Sequence, residues 1–318
     1  MNLSPHALRL RADEARAHYA RCDLCAHDCL VDRTRGPAGR CNEGDGLFLA
    51  GAGVHFGEEA VLVGSSGSAR RGSGLILIGG CNLACRYCET FDFSLERRGL
   101  VATSEEELAG LLLDLQKQGA ANVNFVTPTH VLPALLGGLA RAAVHGFSLP
   151  VVWNCGGYES LEALRLLEGV VDIYLPDAKY GDDAAALALS GCRDYTSALD
   201  ESLREMHRQV GDLQLDGGLA VRGVLVRHLV LPGEAAAPAR LMPLLAAISP
   251  ALWLNVMSQY RPVFQASLLP VLSRAVQPAE VQSAVSLARS AGLRNLLVDG
   301  RPLAPSIAHP HPIATVRG

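Results

Sequence analysis

Residues 79–88 read GGCNLACRYC and stand at the end of the apolar run Leu75–Gly79. The run predicts a buried strand, so Cys81, Cys85 and Cys88 lie in the loop that leaves this strand. Three thiolates can ligate three irons of a [4Fe–4S] cubane and leave the fourth iron open. The alternatives are a zinc site that lacks one ligand and a set of buried structural cysteines, but zinc knuckles favour four ligands in paired units. The motif therefore predicts an iron–sulfur cluster at the end of the first strand.

Outward from this motif, short apolar runs alternate with longer helical patterns. The runs are nearly continuous, which suits parallel strands covered on both faces. Strands are predicted at Leu75–Gly79, Asn122–Thr127, Val151–Asn154, Val171–Leu175, Val221–Leu231 and Leu252–Met257, with Asn295–Asp299 as a further candidate. Helices are predicted at residues 5–20, Ser104–Gln118, Leu132–His145, Ser160–Leu167, Asp194–Val210, Pro238–Ile248 and Pro278–Ala291. Six βα units predict an α/β fold, a partial (β/α)6 barrel, with a doubly wound sheet as the competitor.

The chain divides into three parts of different composition. Residues 1–50 predict an N-terminal helix followed by a Cys-rich, metal-binding module, and residues 51–300 predict the barrel. Within the second part, a Gly- and Ser-rich stretch at 64–74 is too polar for a regular element. Residues 301–318, which contain the run HPHP, predict an irregular C-terminal tail.

The composition excludes several classes of partner. Lysines and arginines number 28 against 32 aspartates and glutamates, and no basic run stands out, so neither nucleic acid nor an anionic membrane is an expected partner. No apolar run is long enough for a signal peptide or a membrane span, which predicts a cytoplasmic protein. In that reducing compartment, clustered cysteines indicate metal ligation rather than disulfides.

A second cysteine group lies near the N-terminus, at Cys22, Cys25, Cys29 and Cys41. Four soft ligands at short spacing can wrap one tetrahedral zinc or iron ion, or an auxiliary iron–sulfur cluster. A zinc ion would stabilise the fold of this segment, whereas a second iron–sulfur cluster would imply a role in electron transfer. Zinc is the favoured interpretation and iron the alternative, with His27 as a further candidate ligand.

With an aromatic residue before its last cysteine, the first motif is typical of the radical-SAM superfamily. The chain as a whole resembles the PflX-type branch of that superfamily, relatives of the pyruvate formate-lyase activating enzymes. The likeness is carried by CDLC at 22–25, HFGEE at 55–59, VTPTH at 126–130, GYES at 157–160, DIYLPDAKY at 172–180, MHRQVG at 206–211, RHLVLPG at 227–233 and MSQYRP at 257–262. It implies a radical-SAM partial barrel whose cluster reductively cleaves S-adenosyl-L-methionine to a 5′-deoxyadenosyl radical.

The resemblance also implies contacts around S-adenosylmethionine. Tyr87 would shield the cluster or stack near the adenine. A Gly-Gly-Glu segment that binds the methionine amino group in the superfamily is replaced here by TPTH, which leaves backbone carbonyls and the hydroxyl of Thr127 or Thr129 as acceptors. His130 either contacts the ligand or begins the next helix, and Asn154 would bind a ribose hydroxyl.

Further along the chain, Asp177 and Lys179 match the Asp-x-Lys of the activating enzymes. By that likeness Lys179 pairs with the methionine carboxylate, a charge-assisted contact, and Asp177 orients it or binds a cation. His228 is implied to contact adenine or ribose. Glu58 and Glu59, which precede the predicted barrel, either reach the mouth of the pocket or form a pair of solvated carboxylates, and the second interpretation is favoured.

The sequence therefore predicts an oxidoreductase-type enzyme that uses the radical for hydrogen abstraction. The resemblance favours an activase that acts on a glycyl-radical protein, and radical modification of a small molecule or peptide is the alternative. A non-catalytic iron–sulfur or zinc scaffold, for electron transfer or binding, is the rival from another class. The enzyme would draw electrons from a donor such as flavodoxin or ferredoxin.

Overall fold

Seven parallel strands follow one another across the sheet in the order in which they occur along the chain. The computed structural model describes residues 3–64 and 71–303, so residues 304–318 of the predicted tail lie outside the described residues. The strands are β1 Leu47–His55, β2 Ser73–Ile78, β3 Val101–Thr103, β4 Val123–Val126, β5 Val151–Cys155, β6 Ile173–Pro176, β7 Gln214–Asp216, β8 Leu219–Leu229, β9 Trp253–Met257, β10 Asn295–Val298 and β11 Arg301–Pro302. The parallel set is β2, β4, β5, β6, β8, β9 and β10. A doubly wound sheet needs a reversal of strand order, which this set lacks, so that competitor is wrong.

The predicted strands coincide with observed ones, each to within two residues at either end. The further candidate is also a strand, so the parallel set has one member more than the six predicted βα units. The pattern missed β1, which pairs antiparallel with β2 and β3. Gly51 and Gly53 weaken the strand preference of β1, so its pairing partners rather than its own residues determine it. In the Gly- and Ser-rich stretch, residues 65–70 lie outside the described residues, and Ser73 already begins β2.

Ten helices precede or join the parallel strands among the residues that the structure describes. They are α1 Pro5–Ala17, α2 Ala60–Val63, α3 Phe91–Ser94, α4 Glu105–Lys117, α5 Leu132–Val144, α6 Leu161–Leu167, α7 Asp183–Ser190, α8 Tyr195–Val210, α9 Pro238–Ile248 and α10 Pro278–Ser290. The start of α4 is a capping box: the Glu107 backbone N–H donates to the Ser104 hydroxyl at 3.2 Å, and the Ser104 N–H donates to the Glu107 carboxylate at 2.7 Å. Within the described part of the chain, no helix is long and apolar enough to cross a membrane.

Both faces of the sheet are buried. On β6, Tyr174 belongs to the main apolar core, whereas its neighbours Ile173 and Leu175 join a second cluster with Val61 and Leu62 of α2. Successive side chains of a strand point to opposite faces, so burial on both sides gives the continuous apolar runs of the sequence. Because α2 covers the second face, the segment before β2 is brought next to the ends of β8 and β9.

Candidate functional site

The carboxyl ends of the parallel strands surround a cavity of about 300 Å³. Parallel strands all end at the same edge of a sheet, so loops far apart in sequence meet there. Eight of the nine residues predicted for the cluster and its ligand line this cavity: Cys81, Cys85, Cys88, Tyr87, Thr127, Asn154, Asp177 and Lys179. The ninth, His228, is not among the lining residues.

In the loop after β2, two of the three cluster thiols accept hydrogen bonds, and the third lies beside a hydroxyl. The Leu83 backbone N–H donates to Cys81 Sγ at 3.3 Å, and the Ser190 hydroxyl donates to Cys85 Sγ at 3.0 Å. Ser94 Oγ lies 3.3 Å from Cys88 Sγ. Such donors stabilise thiolates, the form in which cysteine binds metal. The donor set therefore fits a cluster held by three cysteines.

No three His, Cys, Asp or Glu side chains in residues 3–64 and 71–303 already converge on the position of a single metal ion. A cubane cluster needs no such convergence, because each of its three thiolates binds a different iron.

Thr127 has a strained backbone at the end of β4. Its φ is +57°, a left-handed conformation that is rare for a β-branched residue. Its hydroxyl donates to the Val126 carbonyl at 2.7 Å, and the residue lines the cavity. Strain of this kind costs about 1–3 kcal/mol and clusters at functional sites. The geometry thus places Thr127, the first residue of the TPTH segment, in the cavity wall, with its backbone held in an unusual conformation.

Asp177 and Lys179 form an ion pair at the end of β6, with 2.6 Å between Oδ2 and Nζ. Both are partly buried, with side-chain exposures of 27% and 15%. Burial by itself would lower the pKa of Lys179, but the neighbouring Asp177 and Cys85 raise it well above its ordinary value. Lys179 is one of only two lysines in the chain. Asp177 therefore holds the Lys179 ammonium, which stays protonated, in a fixed position in the cavity wall.

Glu58 and Glu59 are not solvated carboxylates, and that interpretation is wrong. Glu59 is 2% exposed, and both carboxylates pair with Arg227 of β8. The Arg227 guanidinium donates to the two Glu59 oxygens at 2.8 and 2.6 Å, and Asn255 Nδ2 donates to Glu59 at 2.7 Å. Burial would raise the pKa of Glu59, but Arg227 and Asn255 lower it below its ordinary value. Through these hydrogen bonds and ion pairs, the segment before β2 contacts strands β8 and β9.

The side chains of β8 alternate, so Arg227 and His228 face opposite ways. Arg227 lines the cavity, whereas His228 is fully buried outside its lining, with Nδ1 at 2.8 Å from the Ala178 carbonyl. Burial lowers the pKa of His228, so the ring is neutral at pH 7. The structure therefore brings the residue before His228 to the site. The alternation along a strand predicts that only one of these two side chains points into the cavity. It does not predict which of them does.

The second cysteine group also shares a cavity. Cys22, Cys25, Cys29 and Cys41 line it together with His130, which is buried and not part of the first cavity. His27 instead hydrogen-bonds the Asn82 carbonyl at 2.8 Å and is not part of this lining.

Glu159, next to this region, is a buried carboxyl that accepts hydrogen bonds from Thr129 at 2.9 and 2.7 Å. Burial raises the pKa of Glu159 from 4.5 to about 7, although the bonds from Thr129 lower it. Between about pH 4.5 and 7 the folded state therefore binds more protons than the unfolded state. The stability that protonation of Glu159 contributes is fully present below about pH 4.5 and is lost as the pH rises through about 7.

Replacing Glu159 by glutamine is expected to increase the free energy of unfolding at pH 8 by up to about 3 kcal/mol, since the amide stays neutral. At pH 5 the change should be small. Urea unfolding at both pH values measures it, with the exposed Glu162→Gln as the matched control. Equal pH dependence in wild type and Glu159→Gln would contradict the prediction.

Comparisons with known proteins give the following. No family model matches the chain. An uncharacterized protein of Methanocaldococcus jannaschii is 28% identical over 300 residues, which cover 92% of this chain and 81% of that protein. Two crystal structures are similar over 69% of this chain: Streptococcus suis SuiB, with a TM-score of 0.44 and 10% identity, and HydG, a maturase of the [FeFe]-hydrogenase, with 0.47 and 14%. The chain spans about half the length of these two proteins, 46% and 49%. The site itself is thus defined by its residues: three cysteines and an Asp–Lys ion pair around one cavity at the carboxyl ends of parallel strands.

Proposed function

We propose that the protein is a radical-SAM enzyme built on a partial (β/α)6 barrel. A cluster held by the three cysteines would supply the one electron needed for reductive cleavage of the C5′–S bond of S-adenosylmethionine, with methionine and a hydrogen-abstracting 5′-deoxyadenosyl radical as products. The observation that carries the proposal is the meeting of Cys81, Cys85 and Cys88 with Asp177 and Lys179 in one cavity.

The chain's own residues bind and orient the ligands in this proposal. The three thiolates hold the cluster, and the Lys179 ammonium pairs with the methionine carboxylate while Asp177 fixes the ammonium in place. Thr127 and Asn154, which line the same wall, offer a hydroxyl and an amide to the amino group and the ribose. Leu83 and Tyr87, both buried, cover the cysteine loop and exclude water from it.

A chain of buried hydroxyl groups leads to the cluster cysteine Cys85. Tyr87 Oη lies 2.7 Å from Tyr180 Oη, which lies 2.6 Å from Ser190 Oγ, and Ser190 donates to Cys85 Sγ. A hydrogen bond to a cluster thiolate stabilises the more negative, reduced state and so raises the reduction potential. The Ser190 hydroxyl is thereby a positioning and tuning group for the cluster.

Replacing Ser190 by alanine is expected to make the reduction potential of the cluster more negative, because the thiolate loses this donor. An EPR-monitored redox titration measures the potential. Ser202→Ala, a buried serine of α8 that bonds backbone carbonyls, is the matched control. An unchanged potential in Ser190→Ala with full iron content would contradict the assignment.

Within this class, we propose an activase that abstracts hydrogen from a glycyl-radical protein, with electrons from a flavodoxin or ferredoxin in the cytoplasm. The support is the likeness of the motifs at 172–180 and 227–233 to the PflX-type branch. Radical modification of a small molecule or peptide is the alternative. Incubation with a glycyl-radical protein from the same genome separates them, since an activase generates the EPR signal of a backbone glycyl radical.

The deciding experiment is anaerobic incubation of reconstituted protein with dithionite and S-adenosylmethionine. Formation of 5′-deoxyadenosine, followed by chromatography, is expected in wild type and is lost in Cys85→Ala. Cys192→Ala, a buried cysteine outside both cavities, is the matched control and should retain activity. A wild-type protein that holds a full cluster and gives no 5′-deoxyadenosine would instead support a non-catalytic scaffold.

A further inference from the structure

The N-terminal cysteines are held by a tight backbone fold. The Cys22 N–H donates to the Val31 carbonyl at 2.9 Å, and the Leu30 N–H donates back to the Cys22 carbonyl at 2.9 Å. Between them, Asp28 and Leu30 have left-handed φ values of +42° and +53°. Non-glycine residues adopt such angles at a cost, which surrounding structure must offset. The chain therefore turns sharply here, and the turn places Cys22, Cys25 and Cys29 around one cavity that Cys41 also lines.

A buried cation stands beside these thiols. Arg33 is 1% exposed and donates to Cys22 Sγ at 3.6 Å. Its other guanidinium donors go to the backbone carbonyls of Glu43 and Gly44, and no carboxylate pairs with it among the residues that the structure describes. Buried charges are found paired, because an isolated one is costly to desolvate. The guanidinium also stacks over the Tyr19 ring, 4.4 Å from its centroid. A metal-bound thiolate at Cys22 would place a full negative charge beside Arg33.

His130 faces the same cavity from the barrel side. Its Nε2 lies 2.9 Å from the Gly79 carbonyl, which can only accept, so Nε2 carries the proton. Burial lowers the pKa of His130 to about 4, and the ring is neutral. Its Nδ1 then has a lone pair, is buried, and finds no hydrogen-bond partner in the described ranges. Metal-binding imidazoles commonly have this arrangement, with one nitrogen donating to a carbonyl and the other facing the metal.

Two residues of this segment, together with His130, contact the loop that carries Cys81. His130 bonds the Gly79 carbonyl, and His27 bonds the Asn82 carbonyl at 2.8 Å. Between them, Gly80 leaves room for both His130 and Glu43: a Cβ at Gly80 would meet His130 Nε2 at 2.8 Å and would collide with the Glu43 carboxylate. The N-terminal segment thus packs along residues 79–82 of the first site.

We propose that Cys22, Cys25, Cys29 and Cys41 bind a second metal centre of the soft, thiolate-ligated class, and that His130 faces this centre and couples it to the Cys81 loop. The thiol donors suit a zinc ion or an iron–sulfur cluster, which share this ligand chemistry. A zinc ion would require the four thiols to turn toward one point, whereas each thiolate of a cluster binds a different iron. The coupling part rests on the proposed function of the first site. The existence of the second centre does not.

The existence of the centre is tested in the full chain with Cys81, Cys85 and Cys88 all changed to alanine. After anaerobic purification or reconstitution, zinc, iron and sulfide are measured per folded chain. One zinc ion or one iron–sulfur cluster per chain is expected, and either supports the proposal, with the analysis telling them apart. A folded triple variant that retains neither would overturn it. If that variant does not fold, Cys22→Ser in the otherwise native chain is compared with Cys192→Ser. Cys22→Ser must then lose the one zinc ion or the one iron–sulfur cluster that Cys192→Ser keeps.

The coupling is tested with His130→Gln, whose amide can still donate to the Gly79 carbonyl but lacks the imidazole Nδ1. Loss of a group next to the ligands typically weakens metal binding by about 10- to 100-fold, which is the decrease expected in a chelator competition. The same variant should release iron from the first cluster faster than His145→Gln, an exposed histidine changed in the same way. If His130→Gln retains metal as well as that control at both sites, the role of His130 is overturned.

Absence of 5′-deoxyadenosine in wild type would contradict the proposed function and would leave the metal content of the triple variant unaffected.

Discussion

Replacing Lys179 by methionine is expected to weaken binding of S-adenosylmethionine by about 30- to 1,000-fold, which corresponds to about 2–4 kcal/mol. The ammonium would be the partner of the methionine carboxylate, and it is partly buried, at 15% exposure. Its loss removes a charge-assisted contact and leaves Asp177 to repel the incoming carboxylate. Formation of 5′-deoxyadenosine below saturation should fall by a similar factor.

Anaerobic equilibrium dialysis with the oxidised cluster measures the affinity, and iron content shows whether the cluster is intact. The matched control is Lys117→Met, because Lys117 is the other lysine of the chain and is 75% exposed on α4. We expect wild-type affinity in this control. Wild-type affinity in Lys179→Met as well would show that Lys179 does not contact the ligand.

Replacing Arg227 by methionine is expected to lower the free energy of unfolding by about 3–5 kcal/mol. Arg227 is the counter-ion of Glu59, which is 1% exposed in its side chain, so the variant leaves a buried carboxylate without its cation. The cost exceeds that of a surface pair, about 0–1 kcal/mol, because water cannot replace the lost partner. Urea unfolding at pH 7 measures the change.

The double variant Arg227→Met with Glu59→Gln separates the charge effect from lost packing. Removing the orphaned charge should recover part of the stability, so the two changes together should cost less than the sum of the single changes. Arg208→Met, in an exposed ion-pair cluster of α8, is the control and should change stability by less than about 1 kcal/mol. Additive single effects would show that Arg227 and Glu59 do not act as a pair.

Local patterns in the sequence were sufficient for the elements and for most of the site. Apolar runs and a capping box predicted the parallel strands and α4, because those signals depend on residues a few positions apart. The spacing of Cys81, Cys85 and Cys88 predicted a shared ligand, and the ends of parallel strands meet at one edge of the sheet. Asp177 and Lys179, which the resemblance assigned to the ligand, lie at the same edge because they follow the end of β6.

The tertiary structure alone decided which residues of the later segments meet. Arg227 and Glu59 are 168 residues apart, and their pairing depends on how α2 covers the second face of the sheet, on which Ile173 and Leu175 lie. The choice of Arg227 over His228 at the cavity, and the place of His130 beside the N-terminal cysteines, depend on which face each strand and loop turns inward. Periodicity in a sequence predicts that side chains alternate between the two faces of an element or that they are buried. Which partner it meets is set by the path of the whole chain, because the contact forms only when distant segments fold together.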